Sequence, residues 1–96
     1  LLNLMNKNLV EQLEKDGFKH IYEWEDKPGA EYHSHSHKDR VSFYIIDGSL
    51  MFYIDNQVIE LKKGDRFDVP VAKEHRAKVG SGGCSYIVGE MIEGDS

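Results

Sequence analysis

The sequence has little cysteine, little proline and no long hydrophobic run. Its 96 residues include one cysteine, Cys84, and two prolines. Because one cysteine cannot form an intrachain disulfide, we expect no disulfide framework and a location in the reducing cytoplasm. No apolar stretch approaches the roughly 20 residues of a membrane span, and Leu1–Met5 lacks the basic start and long apolar core of a signal peptide. We therefore expect no membrane partner.

Positive charge is also scarce. The chain carries 12 lysines and arginines against 17 aspartates and glutamates, a formal net charge of -5. This balance argues against nucleic acid as a partner. The length fits one domain, residues 1–96, with a small core, so association with a second copy would add stability.

One short helix is expected near the start of the chain. Asn8 is a good N-cap, and Glu11 stands three residues further on, as in a capping box. Gly17 is suited to end a helix in a left-handed conformation. The pattern predicts a helix over Leu9–Asp16.

From about residue 18 to residue 92, short β-prone segments alternate with turn signals. We expect two of these signals, Asp47-Gly48 and Ser81–Gly83, each to join two separate strands. The strands expected beside them are Val41–Ile46, Leu50–Ile54, His75–Val79 and Cys84–Met91. Roughly seven or eight short strands with regular turns are typical of an all-β sandwich or barrel.

A histidine-rich strand is expected at Ala30–His37. His33, His35 and His37 alternate with serines, so all three side chains point to one face of a strand, together with Glu31. Neutral imidazole binds zinc, nickel, copper and iron. The pattern indicates a metal site, and the alternative is a solvated polar edge strand.

Glycine and histidine recur at a fixed spacing around this strand. Five residues separate Gly29 from His35-Ser36-His37, and Gly48 follows after ten more. This spacing resembles the first motif of the cupin superfamily. The family places a glutamate where this sequence has Val41.

A second set of residues carries the same resemblance. Five residues separate Gly64 from Pro70, and four separate Pro70 from His75, as in the second cupin motif. Ala72 and Val79 hold places where the family has glycine and asparagine. The two motifs together cover about half of the chain.

The resemblance implies an all-β fold, the cupin jelly roll or double-stranded β-helix, forming a barrel. It implies His35, His37 and His75 as ligands of one divalent transition metal in the mouth of the barrel. The metal is zinc, nickel, iron, manganese or copper. We expect the three imidazoles to converge, with ring nitrogens about 3–4 Å apart.

The alternation of the strand supports an inward His75 independently. It shares a face with Ala77 and Val79, whereas Arg76 and Lys78 occupy the opposite face. Taken alone, this pattern favours a hydrogen-bonded core histidine. Combined with the spacing of the other histidines, it favours a metal ligand.

The valine at position 41 leaves three hypotheses for the metal site. The site uses three histidines and no carboxylate, as in the thiol dioxygenases of the cupin superfamily. A nearby group, Glu31, His33 or Asp39, substitutes for the glutamate. Alternatively, the site is degenerate. His33 is a candidate additional ligand, and Glu31 and His33 are candidates for moving protons in catalysis.

Two functions are compatible with these residues. The first is a small metal-dependent cupin that holds a small anionic organic ligand, as an oxygenase or an enzyme of metal-assisted rearrangement; whether it is an enzyme stays open. The alternative is a non-catalytic ligand-binding or sensor cupin, with or without metal. A third hypothesis is a barrel kept for assembly alone. We also expect a homodimer formed through Phe18–Glu25, where Tyr22 and Trp24 share a face.

Overall fold

Antiparallel pairing organises the chain around its two longest strands. The computed structural model describes residues 4–91. One helix and six strands follow in the order α1 (Leu4–Lys15), β1 (His20–Asp26), β2 (Glu31–His35), β3 (Val41–Ile54), β4 (Gln57–Lys62), β5 (Arg66–Val69) and β6 (His75–Glu90).

The six strands form one sheet that folds over on itself. Its main path runs β1-β6-β3-β4, while β2 pairs with β6 and β5 pairs with β3, all antiparallel. The prediction of an all-β jelly roll with a short N-terminal helix is confirmed. The expected closure into a barrel is wrong, because β1 and β4 lie at the two ends of the path and do not pair with each other.

The helix begins earlier than predicted. It starts at Leu4 instead of Leu9, so Asn8 lies inside it and does not cap it. The helix is stabilised by the packing of Leu13 against Phe18, which precedes the sheet, and against Ile87 in the sheet. The expected cap at Asn8 does not contribute. Within the described residues, no helix is both long and apolar enough to cross a membrane.

The predicted end of the helix at Gly17 is confirmed. Gly17 has a φ of 98°, and its N–H donates to the carbonyl of Glu14 at 3.0 Å. The N–H of Phe18 donates to the carbonyl of Leu13 at 3.1 Å, completing a Schellman motif. The same two side chains are buried against each other, at 3% and 0% exposure.

The two expected turns at Asp47-Gly48 and Ser81–Gly83 are wrong. Both segments lie inside continuous strands, β3 and β6, which pair with each other along most of their length. Register shifts occur around Gly48, where it pairs with Cys84. Gly48 and Gly83 have φ values of 78° and 80°, so the two strands bend without reversing direction.

The bend divides the interior into facing halves. Residues before and after it pack into one apolar cluster between the two halves of the sheet, which includes Phe43, Leu50, Phe52, Val79 and Tyr86. A second cluster lies between the helix and the outer face of the sheet. A cavity opens beside the first cluster.

The glycine at the bend provides a test of this geometry. A Cβ at Gly48 would overlap the carbonyl group of Gly83, whereas a Cβ at Gly17 would meet no atom within 4 Å. Both residues have positive φ, which costs an L-residue about 1–2 kcal/mol. We expect Gly48→Ala to lower the free energy of unfolding by about 3 kcal/mol and Gly17→Ala by about 1 kcal/mol. Denaturant unfolding of the two variants checks this, and equal losses would contradict the close approach of β3 and β6.

Candidate metal centre

Three histidines from the two motifs come together at one end of the cavity. His35 at the end of β2 is the Cα partner of His75 at the start of β6, and His37 follows β2 by two residues. Their candidate ligand nitrogens all lie within 4.8 Å of one another. The ring centroids are 4.5 Å apart for His35 and His75, 4.9 Å for His35 and His37, and 5.1 Å for His37 and His75. The predicted convergence of the three imidazoles is confirmed. The distances between their ligand nitrogens reach up to 4.8 Å, which is wider than the expected 3–4 Å.

The expectation that Glu31 and His33 share the face of this cluster is wrong. The pairing of β2 with β6 passes from Tyr32 opposite Ala77 to His35 opposite His75, so β2 carries one extra residue, a bulge. The bulge reverses the alternation, and Glu31 and His33 become exposed. Among the described residues, neither they nor Asp39 line the cavity.

Backbone carbonyls hold two of the imidazoles in one tautomer. Nδ1 of His35 lies 2.7 Å from the carbonyl oxygen of His33, and Nδ1 of His75 lies 3.0 Å from that of Lys73. A carbonyl only accepts hydrogen bonds, so each Nδ1 carries the proton. In neutral imidazole this leaves the lone pair on Nε2, which is the form that binds a metal. The geometry of the cluster therefore fits a divalent ion.

The surroundings also keep His37 and His75 neutral. His75 is 4% exposed and its ring stacks on Phe52 at 5.0 Å. Burial lowers the pKa of His75, and this effect, together with the neighbouring imidazoles, outweighs the hydrogen bond to the Lys73 carbonyl, which raises it. Burial also lowers the pKa of His37. Neither ring therefore needs to lose a proton before it binds a metal at neutral pH.

The backbone of Ala72 connects the two motifs. Its N–H donates to the carbonyl of His37 at 2.9 Å. Ala72 has a φ of 62°, in the left-handed region, and it occupies the place where the family has glycine. An alanine in this left-handed conformation, which glycine adopts without penalty, carries strain of about 1–2 kcal/mol.

An apolar cavity of about 630 Å³ adjoins the three histidines. Its walls include Val41, Phe43, Leu50, Phe52 and Val69. Residues of β1, among them Tyr22 and Trp24, form part of its wall. Its volume is sufficient for a small organic ligand.

Two polar residues on the cavity wall were not predicted as site residues. Glu90 of β6 is the Cα partner of Val41 on β3, and its Oε2 accepts a hydrogen bond from Tyr22 Oη at 2.9 Å. Burial and the Glu90 carboxylate raise the pKa of Tyr22 to about 12. Glu90 lies two residues after Val88 and four after Tyr86, so strand alternation places it on the same inward face as these two residues. No motif spacing connects Glu90 with the histidines.

A second polar network connects the end of β1 to β2 and β6. The Asp26 carboxylate accepts hydrogen bonds from Tyr32 Oη at 2.8 Å, Tyr86 Oη at 2.9 Å and Trp24 Nε1 at 3.0 Å. Burial and the bond to Asp26 raise the pKa of Tyr32 to about 12. These phenols are therefore neutral donors fixed on Asp26, and they hold β1 and β2 at the cavity.

The strain at Ala72 leads to a prediction. Ala72→Gly removes the left-handed penalty, while the greater freedom of glycine in the unfolded chain offsets part of the gain. We expect the free energy of unfolding to rise by about 0.5–1 kcal/mol. Thermal and denaturant unfolding of the metal-free protein check this. Destabilisation by Ala72→Gly would show that Ala72 is not strained.

Comparison with known proteins identifies the family. Residues 22–88 match the family model described as a cupin domain. Similar structures are the cupin domain of Cnp3 from Schizosaccharomyces pombe (20% identity, TM-score 0.69, 80% of this chain and 58% of that one) and an RmlC-like cupin from Shewanella frigidimarina (25% identity, TM-score 0.65, 78% and 68%). A cupin superfamily protein from Desulfitobacterium hafniense is 22% identical, with a TM-score of 0.68 and coverage of 76% and 66%.

The chain therefore spans 58% to 68% of the length of these three proteins, and those that share less than 25% identity support the fold alone. None of the curated proteins compared with the chain matches it. The family match covers well over half of the sequence and contains both histidine motifs. The chain belongs to the cupin family.

Proposed function

We propose that this cupin binds one divalent transition metal on His35, His37 and His75 and holds a small anionic organic ligand in the adjoining cavity. The observation that carries the proposal is the convergence of three imidazoles, two of which have Nε2 free because a carbonyl holds the proton on Nδ1. Imidazole ligands suit zinc, nickel, iron, manganese and copper to different degrees, so the set of metals stays as expected from the sequence.

The charge and lining of the site indicate the class of ligand. Three neutral imidazoles leave a divalent ion with its full charge, which favours an anionic group at its open positions. Phe43, Phe52 and Val69 would contact the apolar part of the ligand and exclude water from it. A bound metal would supply Lewis-acid or oxygen-binding chemistry, which suits an oxygenase or a metal-assisted rearrangement.

One observation favours the alternative of a non-catalytic ligand-binding or sensor cupin. Glu31 and His33, the expected proton carriers, lie outside the cavity. Turnover of small organic acids by the metal-loaded protein separates the two functions. Ligand-dependent stabilisation without turnover supports the sensor.

The proposed assembly is a homodimer through β1. This strand lies at the end of the sheet path, and Trp24 on it is 53% exposed. Phe18, at the start of the expected dimer segment, is buried beneath the helix, so the available surface begins at His20. An exposed edge strand with a large aromatic side chain is a surface that a second copy would cover.

Replacement of one histidine at a time tests the metal site. We expect the parent protein to bind about one equivalent of zinc or nickel, and His35→Gln to weaken binding by more than about 100-fold, since even partners of the ligands contribute about 10–100-fold. His33→Gln is the matched control, because His33 is exposed and outside the cluster. The metal affinity of His33→Gln should stay within about threefold of that of the parent, because the substitution keeps the backbone carbonyl of residue 33 that orients His35. Titration calorimetry measures both.

Loss of binding in His33→Gln with retention in His35→Gln would contradict the assignment. Absence of binding of any divalent transition metal by the parent would show that the site is degenerate.

The dimer has its own test. Trp24→Ala removes the largest exposed apolar side chain of β1 and should weaken association by about 1–3 kcal/mol, or roughly 5–150-fold in the dissociation constant. Light scattering over a concentration series checks this, with exposed Val58→Ala on β4 as the control. A parent mass of 11 kDa at tens of micromolar would contradict the dimer.

A further inference from the structure

The cavity contains a carboxylate beside the position where the cupin motif lacks one. Val41 lines the cavity wall, and its neighbour across the β3–β6 pair is Glu90. Side chains of residues directly opposite in an antiparallel pair have Cβ atoms about 4.5–5.5 Å apart. The carboxylate of Glu90 is therefore displaced by one strand from the position of the missing glutamate.

The placement of Glu90 indicates a fixed position facing the site. It is half-buried, and its Oε2 accepts the hydrogen bond from Tyr22 Oη. Glu90 lines the same cavity as His37, one of the three clustered histidines. Its oxygens are not among the ligand atoms that lie within 4.8 Å of one another, so it stands beside the cluster and not in it.

The other carboxylates near the site do not share this position. Glu23 also borders the cavity, but its partner across the strands is Ile87, which packs beneath the helix on the other face of the sheet. Glu31 lies on the exposed side of the bulge. Asp26 is engaged by three donors from aromatic side chains.

We propose that Glu90, oriented by Tyr22, is the acidic group that the metal site uses in place of a glutamate at position 41. From outside the set of three imidazoles it offsets only part of the charge of a bound ion, so an anionic group at an open position of that ion is still favoured. It also accepts a hydrogen bond from water or a ligand at that position. This inference rests on the proposed metal site. It also narrows the class of ligand. Because the Glu90 carboxylate accepts hydrogen bonds, the ligand would carry a donor, such as a hydroxyl or an amino group, in addition to its anionic group.

The experiment measures zinc and nickel affinity by titration calorimetry in variants of the whole chain. We expect Glu90→Gln to weaken metal binding by about 10–100-fold, as is typical when a partner of metal ligands is lost. Glu23→Gln is the matched control, because it removes the same charge from a residue at the edge of the cavity that is paired with Ile87, on the side of the sheet that packs against the helix. Its affinity should stay within about threefold of the parent.

Returning the carboxylate to β3 gives the sharpest comparison. The double variant V41E/E90Q should recover the affinity of the parent or exceed it, because position 41 faces the cavity directly. V41E alone should bind more tightly than the parent. Failure of V41E/E90Q to improve on E90Q would overturn the idea that the two positions serve the same site.

Tyr22 is a positioning residue, and a double-mutant cycle tests it. Y22F should weaken metal binding by less than E90Q, and Y22F/E90Q should bind no more weakly than E90Q alone, since both act through one carboxylate. Additive losses would show that Tyr22 does not act through Glu90. Melting curves of the metal-free variants separate these effects from loss of fold.

The outcomes distinguish this inference from the proposed function. If the parent binds metal and E90Q binds it as tightly as E23Q does, Glu90 has no role at the site and only this inference fails. If the parent binds no metal, the proposed function fails and the inference fails with it. If E90Q does not fold, E90D is measured in its place. E90D keeps the negative charge but has a shorter side chain that reaches Tyr22 less well. It should also bind metal more weakly than the parent.

Discussion

The close approach of β3 and β6 at Gly48 and Gly83 is the constraint on which the rest of the structure depends. A side chain at Gly48 would occupy the space of the Gly83 carbonyl, so the two long strands approach each other this closely only because β3 carries glycine at this point. Bending there lets one pair of strands form both halves of the sheet. The cavity is the space between those halves, and His75 reaches it from the far end of β6.

The site is built mainly from backbone geometry. The bulge in β2 aims His35 at His75, backbone carbonyls fix the tautomers of both rings, and the Ala72 N–H holds the carbonyl of His37. Burial then keeps His37 and His75 neutral. The ring nitrogens of such a site are already in place, so binding of a metal ion would cost little conformational entropy.

The sequence was sufficient for some features of the site and insufficient for others. The resemblance of the glycine and histidine spacing to the two cupin motifs predicted the cluster of His35, His37 and His75. Strict alternation failed at Glu31 and His33, since a bulge adds one residue that no composition signal marks. The glycines at the bend resembled hairpin turns because glycine permits both structures. The pairing of Val41 with Glu90 joins residues far apart in the chain and depends on register alone.

An anomalous scattering scan of crystals grown with zinc or nickel is the most direct test of the metal centre. The account predicts one strong peak per chain at the metal's absorption edge. The peak should lie between Nε2 of His35, Nε2 of His75 and the ring of His37. The Nδ1 atoms of His35 and His75 should keep their hydrogen bonds to the backbone carbonyls. A peak bound by Nδ1 of these rings or by His33, or the absence of any peak between the three imidazoles, would contradict it.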